Sequence, residues 1–398
     1  MMMGSSSTPL KVFVLVFLFV WVAEGQTRTK VFNVVRFGAV ADGKTDNSKA
    51  FGNAWREACR WEGRNKVLIP EGTYMASPVM FQGPCKGYMV FETKGVVKAP
   101  TDLSMFDDSW ITFQYINGLT ISGGGTFDGQ GASAWPYNQC TRNPNCKSLP
   151  VSIRFNFITN GMVRHISSID SKLFHFNIFG CKKMKLRFIK ISAPEDSPNT
   201  DGIHLGSSRG IQISRSVIGT GDDCISIGPG SKNIRISKVF CGPGHGISVG
   251  SLGKYQNEED VMGIIVRNCT FSGTSNGVRI KTWAPSPASL ASNFTFKDIF
   301  MNNVYNPIFI DQQYCPSRSC NPKAASQVQI SDVRYRNIWG TSGSKLAVNL
   351  LCSPGVPCRN VELKDINLVH KGYGGPATSS CSYVNGVAYG RQIPPSCL

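Results

Sequence analysis

Acidic residues are scarce in this chain: 25 Asp and Glu stand against 42 Lys and Arg, a formal net charge of +17. A field of that sign favours polyanionic partners, either nucleic acid or an acidic polysaccharide. There is no dense Lys/Arg block and no recognisable nucleic-acid-binding motif, so the polysaccharide is preferred over nucleic acid, with a merely solvated basic surface as the bland alternative. Histidine is also rare, with five copies, and no CxxC pair occurs among the fourteen cysteines, which removes the usual ligand spacing of a zinc site. Past residue 25 no stretch is long and apolar enough to span a bilayer. No Pro/Ser linker or shift of composition divides the chain.

What is present points to export. Lys11 precedes the apolar run Val12–Ala23, and Ala23-Glu24-Gly25 frames a cut before Gln26. About 12 apolar residues fall short of the roughly 20 needed to cross a membrane, so residues 1–25 read as a secretory signal peptide and 26–398 as a single mature domain, soluble and with no membrane in its mature form. An even number of cysteines suits an oxidising compartment. Local spacing suggests the pairs Cys140/Cys146, Cys224/Cys241, Cys315/Cys320, Cys352/Cys358 and Cys381/Cys397, although spacing does not fix connectivity. Asn268-Cys269-Thr270 and Asn293-Phe294-Thr295 are glycosylation sequons.

One helical pattern stands out, with Phe51, Ala54, Trp55 and Ala58 at i, i+3, i+4 and i+7 behind Asp46 and Ser48 as candidate caps. Elsewhere short β-branched runs recur: "GIHLG" (202–206), "CISIG" (224–228), "GISVG" (246–250), "GVRIK" (277–281) and "PIFID" (307–311). Their second residues are 22, 22, 31 and 30 positions apart, and a second apolar run lies in each interval. Intervals of 22 residues have no room for a four-stranded propeller blade or for a helix in every unit. The pattern predicts an all-β parallel β-helix, with inward Ile and Val stacked in columns and the helix over 48–59 capping its N-terminal end.

Stacking turns register into geometry. Asp201, Asp223 and His245 each lie two residues before an inward Ile, so they occupy one register on three successive coils, about 4.8 Å apart. Asp222 adjoins Asp223, and on the next coil Arg279 and Lys281 straddle Ile280 and share a face. Strict alternation would turn Asp201 inward, so the chain must kink at Gly202, as glycine permits. Calcium fits the three carboxylates poorly, since the ion takes six to eight oxygens and Arg279 and Lys281 oppose it. Turn or ladder roles remain open for any single acid. Crowded carboxylates beside an imidazole suit general acid/base chemistry, because crowding holds a proton on one acid while another stays ionised. "GSLGKY" (250–255) departs from a phosphate loop at Ser248 and Tyr255, and "SGGGTFDGQG" (122–131) lacks the dinucleotide spacing.

Four blocks in order, "SPNTDGIH" (197–204), "GTGDDCISIG" (219–228), "CGPGHGISVGSLG" (241–253) and "VRIKTW" (278–283), resemble the signatures of polygalacturonases, glycoside hydrolase family 28. The likeness runs from "VRFGAVADGKTD" (35–46) to the terminal cysteines, and "VVKAPTDLSMFDDSWITF" (96–113) is most similar to plant pollen exopolygalacturonases. The resemblance implies a right-handed parallel β-helix, no metal or organic cofactor, and inverting hydrolysis of α-1,4 bonds in de-esterified pectin outside the cell, in the plant cell wall. It implies Asp222 as general acid, Asp201 and Asp223 as the pair activating water, and His245 as support for the acid's protonation. Arg279, Lys281 and Tyr314 would bind the substrate, and Asn199 would position a sugar or brace the site. Inversion usually goes with carboxyls ~6.5–9.5 Å apart, wider than one strand spacing. Exo action from the non-reducing end is expected, with endo action, a non-catalytic pectin-binding wall protein and a calcium-dependent pectate lyase as alternatives. A monomer is expected.

Overall fold

The computed structural model describes Gly4 and residues 29–140, 146–316 and 324–398. The expected signal peptide over 1–25 thus lies outside the described residues apart from Gly4, and so does Cys320 of the Cys315/Cys320 pair.

Two parallel sheets, of seventeen and eleven strands, wind around one core. We call the eleven-stranded sheet the front and the other the back. The front sheet includes β1 (Phe176–Phe179), β2 (Ile203–Gly206), β3 (Ile225–Ile227), β4 (Ile247–Leu252), β5 (Asn276–Trp283), β6 (Asn306–Tyr314) and β7 (Leu346–Leu351). Each pairs in parallel with the next. The repeat expected from sequence is one register: Ile203, Ile225, Ile247, Val278 and Ile308 are successive partners, and all are fully buried. Two residues on runs a second inward column, Leu205, Ile227, Val249, Ile280, Ile310 and Leu350. Burying each such side chain contributes roughly 1.5–3 kcal/mol, so every coil adds to the cohesion of its neighbours.

Towards the N-terminus this second column becomes aromatic, with Phe81, Phe113 and Phe155 in register. The open end is closed by α1 (Ser48–Arg60), whose Ala50, Phe51, Ala54, Trp55 and Ala58 are buried. Trp55 rests on Phe81 at 5.1 Å between ring centroids, so the helix adds one more layer to the aromatic stack. The capping differs from expectation. Asn47 occupies the cap position and makes no side-chain cap bond. Asp46 Oδ1 instead accepts from the backbone N–H groups of Ser48 (3.0 Å) and Ser77 (2.9 Å), tying the helix start to a neighbouring coil.

The back sheet bends along its length. Its strand Thr159–Ile169 pairs through its first half with Asn117–Ser122 and through its last three residues with Thr126–Asp128, so two strands of an earlier coil fuse into one bent strand. The bend falls at His165, whose φ of 50° is left-handed, and the same position on later coils is Phe188, Arg215, Lys238 and Asn268, also at positive φ. Asn268 and Asn293 of the two sequons are both exposed on this sheet.

Cysteine pairing follows local spacing for Cys140–Cys146, Cys224–Cys241, Cys352–Cys358 and Cys381–Cys397. A fifth bridge, Cys59–Cys85, joins the last turn of α1 to the coil beneath it and has no local spacing to announce it. Cys181 and Cys269 are buried thiols.

Candidate active site

The charged cluster sits on the outward side of β2 to β5 and in the turns leading into those strands. Two glycines set the backbone there for different reasons. Gly246 has φ 86°, and a Cβ on it would meet Asn276 O at 2.1 Å. Gly202 is not left-handed; its requirement is space, since a Cβ would approach Ile218 Cγ2 at 2.4 Å and Cys224 O at 2.5 Å. The predicted kink at Gly202 is therefore a close approach rather than a positive-φ turn. Cys224–Cys241 ties the Asp222-Asp223 turn to the segment leading to His245.

The outward residues of the four strands form one column: His204, Ser226, Ser248 and Arg279 are successive partners. They build the same device twice. His204 Nδ1 lies 2.8 Å from Ser226 Oγ, which donates to Asp201 Oδ2 at 2.7 Å. One coil on, Arg279 Nε donates to Ser248 Oγ (3.2 Å), which donates to Asp223 Oδ1 (2.7 Å). Each hydroxyl thus fixes one buried carboxyl and is itself oriented by a ring or guanidinium donor. Ser226, Ser248 and His204 were not singled out from sequence, although all three stand at the middle of the recurring triplets.

Asp223, 1 % exposed, also accepts from Lys281 Nζ at 2.8 Å and from the Arg279 guanidinium at 3.3 Å. Both cations expected to bind substrate are therefore paired with an acid in the free site. Arg279 retains N–H donors beyond these two bonds. Tyr314 lies beside them, its ring centroid 5.2 Å from Lys281 Nζ and 5.9 Å from the Arg279 guanidinium carbon. Trp283 meets the Tyr314 ring edge-on.

Asp222 faces outward from the middle coil. Its Oδ1 is 2.9 Å from His245 Nδ1, and its Oδ2 accepts from Asn199 Nδ2 at 3.0 Å. Asn199 is held in turn by Asn138 Nδ2 at 3.1 Å, from a loop 61 residues earlier that no sequence pattern connects to the site. All eight residues expected from sequence thus fall in one cluster on successive coils.

Protonation divides the acids. Burial, reinforced by the charges of Asp222 and Asp223, raises Asp201 well above the usual carboxylate range and keeps it protonated. Burial also opposes ionisation of Asp222, but the His245 hydrogen bond and the nearby positive charges outweigh it and bring Asp222 down to about 2. The bond to Asp222 raises His245, so the pair is an imidazolium with a carboxylate. Burial lowers His204 to about 4, so its ring is neutral. The site therefore favours two stored protons, one on Asp201 and one on His245 in its bond to Asp222. Donor atoms of Asp222, Asp223 and His245 lie within 4.8 Å of one another, close enough for one metal ion. Against that, the Asp223 oxygens already receive Lys281, Arg279 and Ser248, and two cations beside the cluster disfavour a third.

Residues 59–393 match the model of "Glycosyl hydrolases family 28". The chain belongs to that family. It is 51 % identical over 371 residues to an exopolygalacturonase of Platanus acerifolia, covering 93 % of this chain and 98 % of the relative. A polygalacturonase of Gossypium barbadense is 49 % identical over 387 residues, covering 97 % and 94 %. Among solved structures, the polygalacturonase from Erwinia carotovora superposes with a TM-score of 0.75 at 22 % identity, over 90 % of this chain and 97 % of that one, which establishes the shared parallel β-helix of this family-28 hydrolase.

Proposed function

We propose that the chain, through residues 26–398, is a secreted, monomeric exopolygalacturonase of the plant cell wall that releases galacturonate from the non-reducing end of de-esterified pectin. The observation that carries the reading is the adjacency of two kinds of group around Asp223. A proton-holding pair, Asp222 with His245, lies beside Asp223, which binds a cation pair, buried Lys281 and half-buried Arg279. A neutral sugar needs only the first; an anionic sugar needs both. Exo action and the polymer substrate are supported by the 51 % identical exopolygalacturonase.

In this reading the substrate carboxylate competes with Asp223 for Arg279 and Lys281. Asp223 is thereby freed to accept a proton from water, while Asp201 holds that water by hydrogen bonding. The water oxygen bonds to the anomeric carbon as the bond to the leaving oxygen breaks. Asp222 gives that oxygen a proton drawn from His245 Nδ1 across their hydrogen bond, and configuration inverts. Developing positive charge on the ring is stabilised by the carboxylates.

One observation favours a second reading, with Asp201 as the acid: it is the carboxyl that keeps its own proton. Asp201 is only 6 % exposed and Ser226 holds its Oδ2, which favours Asp222 for contact with a glycosidic oxygen. Activated leaving groups separate the two. Asp222→Asn should lose ~10²–10⁴-fold on polygalacturonate yet lose little on a nitrophenyl galacturonide, whose leaving group needs no proton. If Asp201→Asn shows that pattern instead, the roles are exchanged. Early products should be galacturonate alone; mixed oligomers with a fast fall in viscosity would mean endo action. An unsaturated product, with activity lost to a chelator, would mean a lyase.

A further inference from the structure

The back sheet carries charge in a pattern the catalytic site does not use. Its four strands Thr159–Ile169, Lys182–Ser192, Gln212–Gly219 and Lys232–Cys241 contain ten Lys and Arg and no Asp or Glu. The later strands Ser289–Val304, Val328–Ser342 and Cys358–His370 hold five cations against four acids. There Lys297 pairs with Asp298 at 3.8 Å and Arg336 with Glu362 at 2.5 Å. The first four strands lack such neutralisation, and like charges face one another across coils. Arg164 is the direct partner of Arg187, and Lys182, Arg209 and Lys232 stack in register on three successive coils. Of these five, only Lys232 has a carboxylate within ion-pair distance among the described residues, Glu259 at 3.7 Å. Like charges opposite one another cost a sheet stability, so folding alone gives no reason for the arrangement.

The same coils form a groove of about 800 Å³ whose floor includes Lys183, Lys185 and Arg235, with Asn160, Gln212 and Tyr88. Lys185 and Arg235 lie two coils apart, either side of Gln212. Along the solenoid axis Lys182, Arg209 and Lys232 recur at the coil spacing of ~4.8 Å, and the groove cations Lys185 and Arg235 at twice that spacing. An extended chain of acidic sugars presents carboxylates at a comparable interval, and its hydroxyls suit the amides. Front and back sheets turn outward on different sides of one core, so a chain lying here does not enter the cleft.

From this we infer that the back sheet over residues 159–241 is a second polysaccharide-binding surface, an exosite that holds de-esterified polygalacturonate while the cleft works on a chain end. The identity of its occupant rests on the substrate reading above; the charge complementarity does not.

The test combines two measurements. Lys182→Glu, Lys185→Glu, Arg187→Glu and Arg209→Glu are introduced together, in the active chain and in an Asp222→Asn background. The active variant should hydrolyse trigalacturonate at the unaltered rate. In the Asp222→Asn background, co-sedimentation with insoluble polygalacturonate at low salt should fall by ~10-fold or more, whereas Asp222→Asn alone stays bound even with trigalacturonate saturating the cleft. A milder pair, Lys182→Gln with Arg209→Gln, should lose part of the binding, which covers the possibility that charge reversal unfolds the chain. Unchanged sedimentation of both folded variants overturns the exosite, as does full release by trigalacturonate. Tighter retention of double-stranded DNA than of polygalacturonate by the starting chain overturns the assigned occupant. A starting chain that fails to hydrolyse trigalacturonate sinks the substrate reading instead, independently of sedimentation.

Discussion

Front and back sheets use the same residue types under opposite conditions. On the front, Lys281 is buried and Arg279 is 12 % exposed, and both are locked to buried Asp223. On the back, Lys182, Arg187 and Arg209 are exposed, and none is in ion-pair contact with a carboxylate among the described residues. A buried cation is costly to strip of its partner, while an exposed one is cheap to remove and shapes only the long-range field. The front is therefore where single substitutions should damage the molecule, and the back is where only combined ones should register.

The contrast is sharpest for matched lysines. Lys281→Met leaves Asp223 buried with Arg279 as its one remaining cation, and unfolding stability should fall by about 3 kcal/mol. Lys185→Met should stay within about 0.5 kcal/mol of the starting chain. Denaturant midpoints for the two variants read the difference directly. Equal midpoints would mean that the front pair is not the buried constraint its geometry indicates.

Next come the hydroxyls of the front column. Ser226→Ala removes the donor to Asp201 and strands His204 Nδ1, and Ser248→Ala does the same for Asp223 and Arg279 Nε. Each should cost ~1–3 kcal/mol of stability, because a buried polar atom loses its partner. Ser226→Thr restores the hydroxyl and should recover most of the turnover that Ser226→Ala loses, a rescue that a simple packing defect would not show. Ser237→Ala on the back sheet makes a suitable control.

These serines mark where sequence reading stops. The columns and the clustering of Asp201, Asp222, Asp223 and His245 follow from the repeat spacing, because in a solenoid a position in the repeat is already a position in space, and the N-terminal helix follows from its own 3.6-residue apolar period. Arg279 and Lys281 follow by the same rule. Ser226 and Ser248 occupy equally regular positions, yet a serine between two isoleucines reads as an ordinary outward residue until its partner is known. Asn138 and Cys59–Cys85 lie beyond that rule, since loops and helix ends are placed by contacts with no period. The protons were legible least of all: crowding foretells that one acid is protonated, but only burial and partners assign that proton to Asp201 and another to His245 beside Asp222.

The pH response should separate the faces further. Asp222 is lowered from 3.8 to about 2 and His245 is raised above 6.5. The lowered carboxylate contributes stability that is complete above 3.8 and lost as pH falls towards about 2. The raised imidazole contributes stability that is complete below 6.5 and lost as pH rises through its folded value. Their joint contribution is therefore full between 3.8 and 6.5. Turnover should decline on the alkaline side as His245 loses the proton that Asp222 needs. His245→Asn should abolish that limb along with most activity, measured as kcat against pH on trigalacturonate. An unshifted alkaline limb in His245→Asn would assign the titration to another group.

The smallest effect lies on the back and has the opposite sign. Arg209 is stacked between Lys182 and Lys232 with no ion-pair partner of its own among the described residues. Arg209→Gln relieves two like-charge contacts and should stabilise the fold by at most about 0.5 kcal/mol, a small rise in Tm at low salt. Raising ionic strength screens the same repulsion, so the gain should shrink as salt is added. On the front, Arg279→Gln should instead lower Tm, because it removes a partner of buried Asp223. If Arg209→Gln lowers Tm as well, the back cations contribute to folding after all. Their stacking would then be a structural feature of the sheet rather than a cost carried for a polyanion.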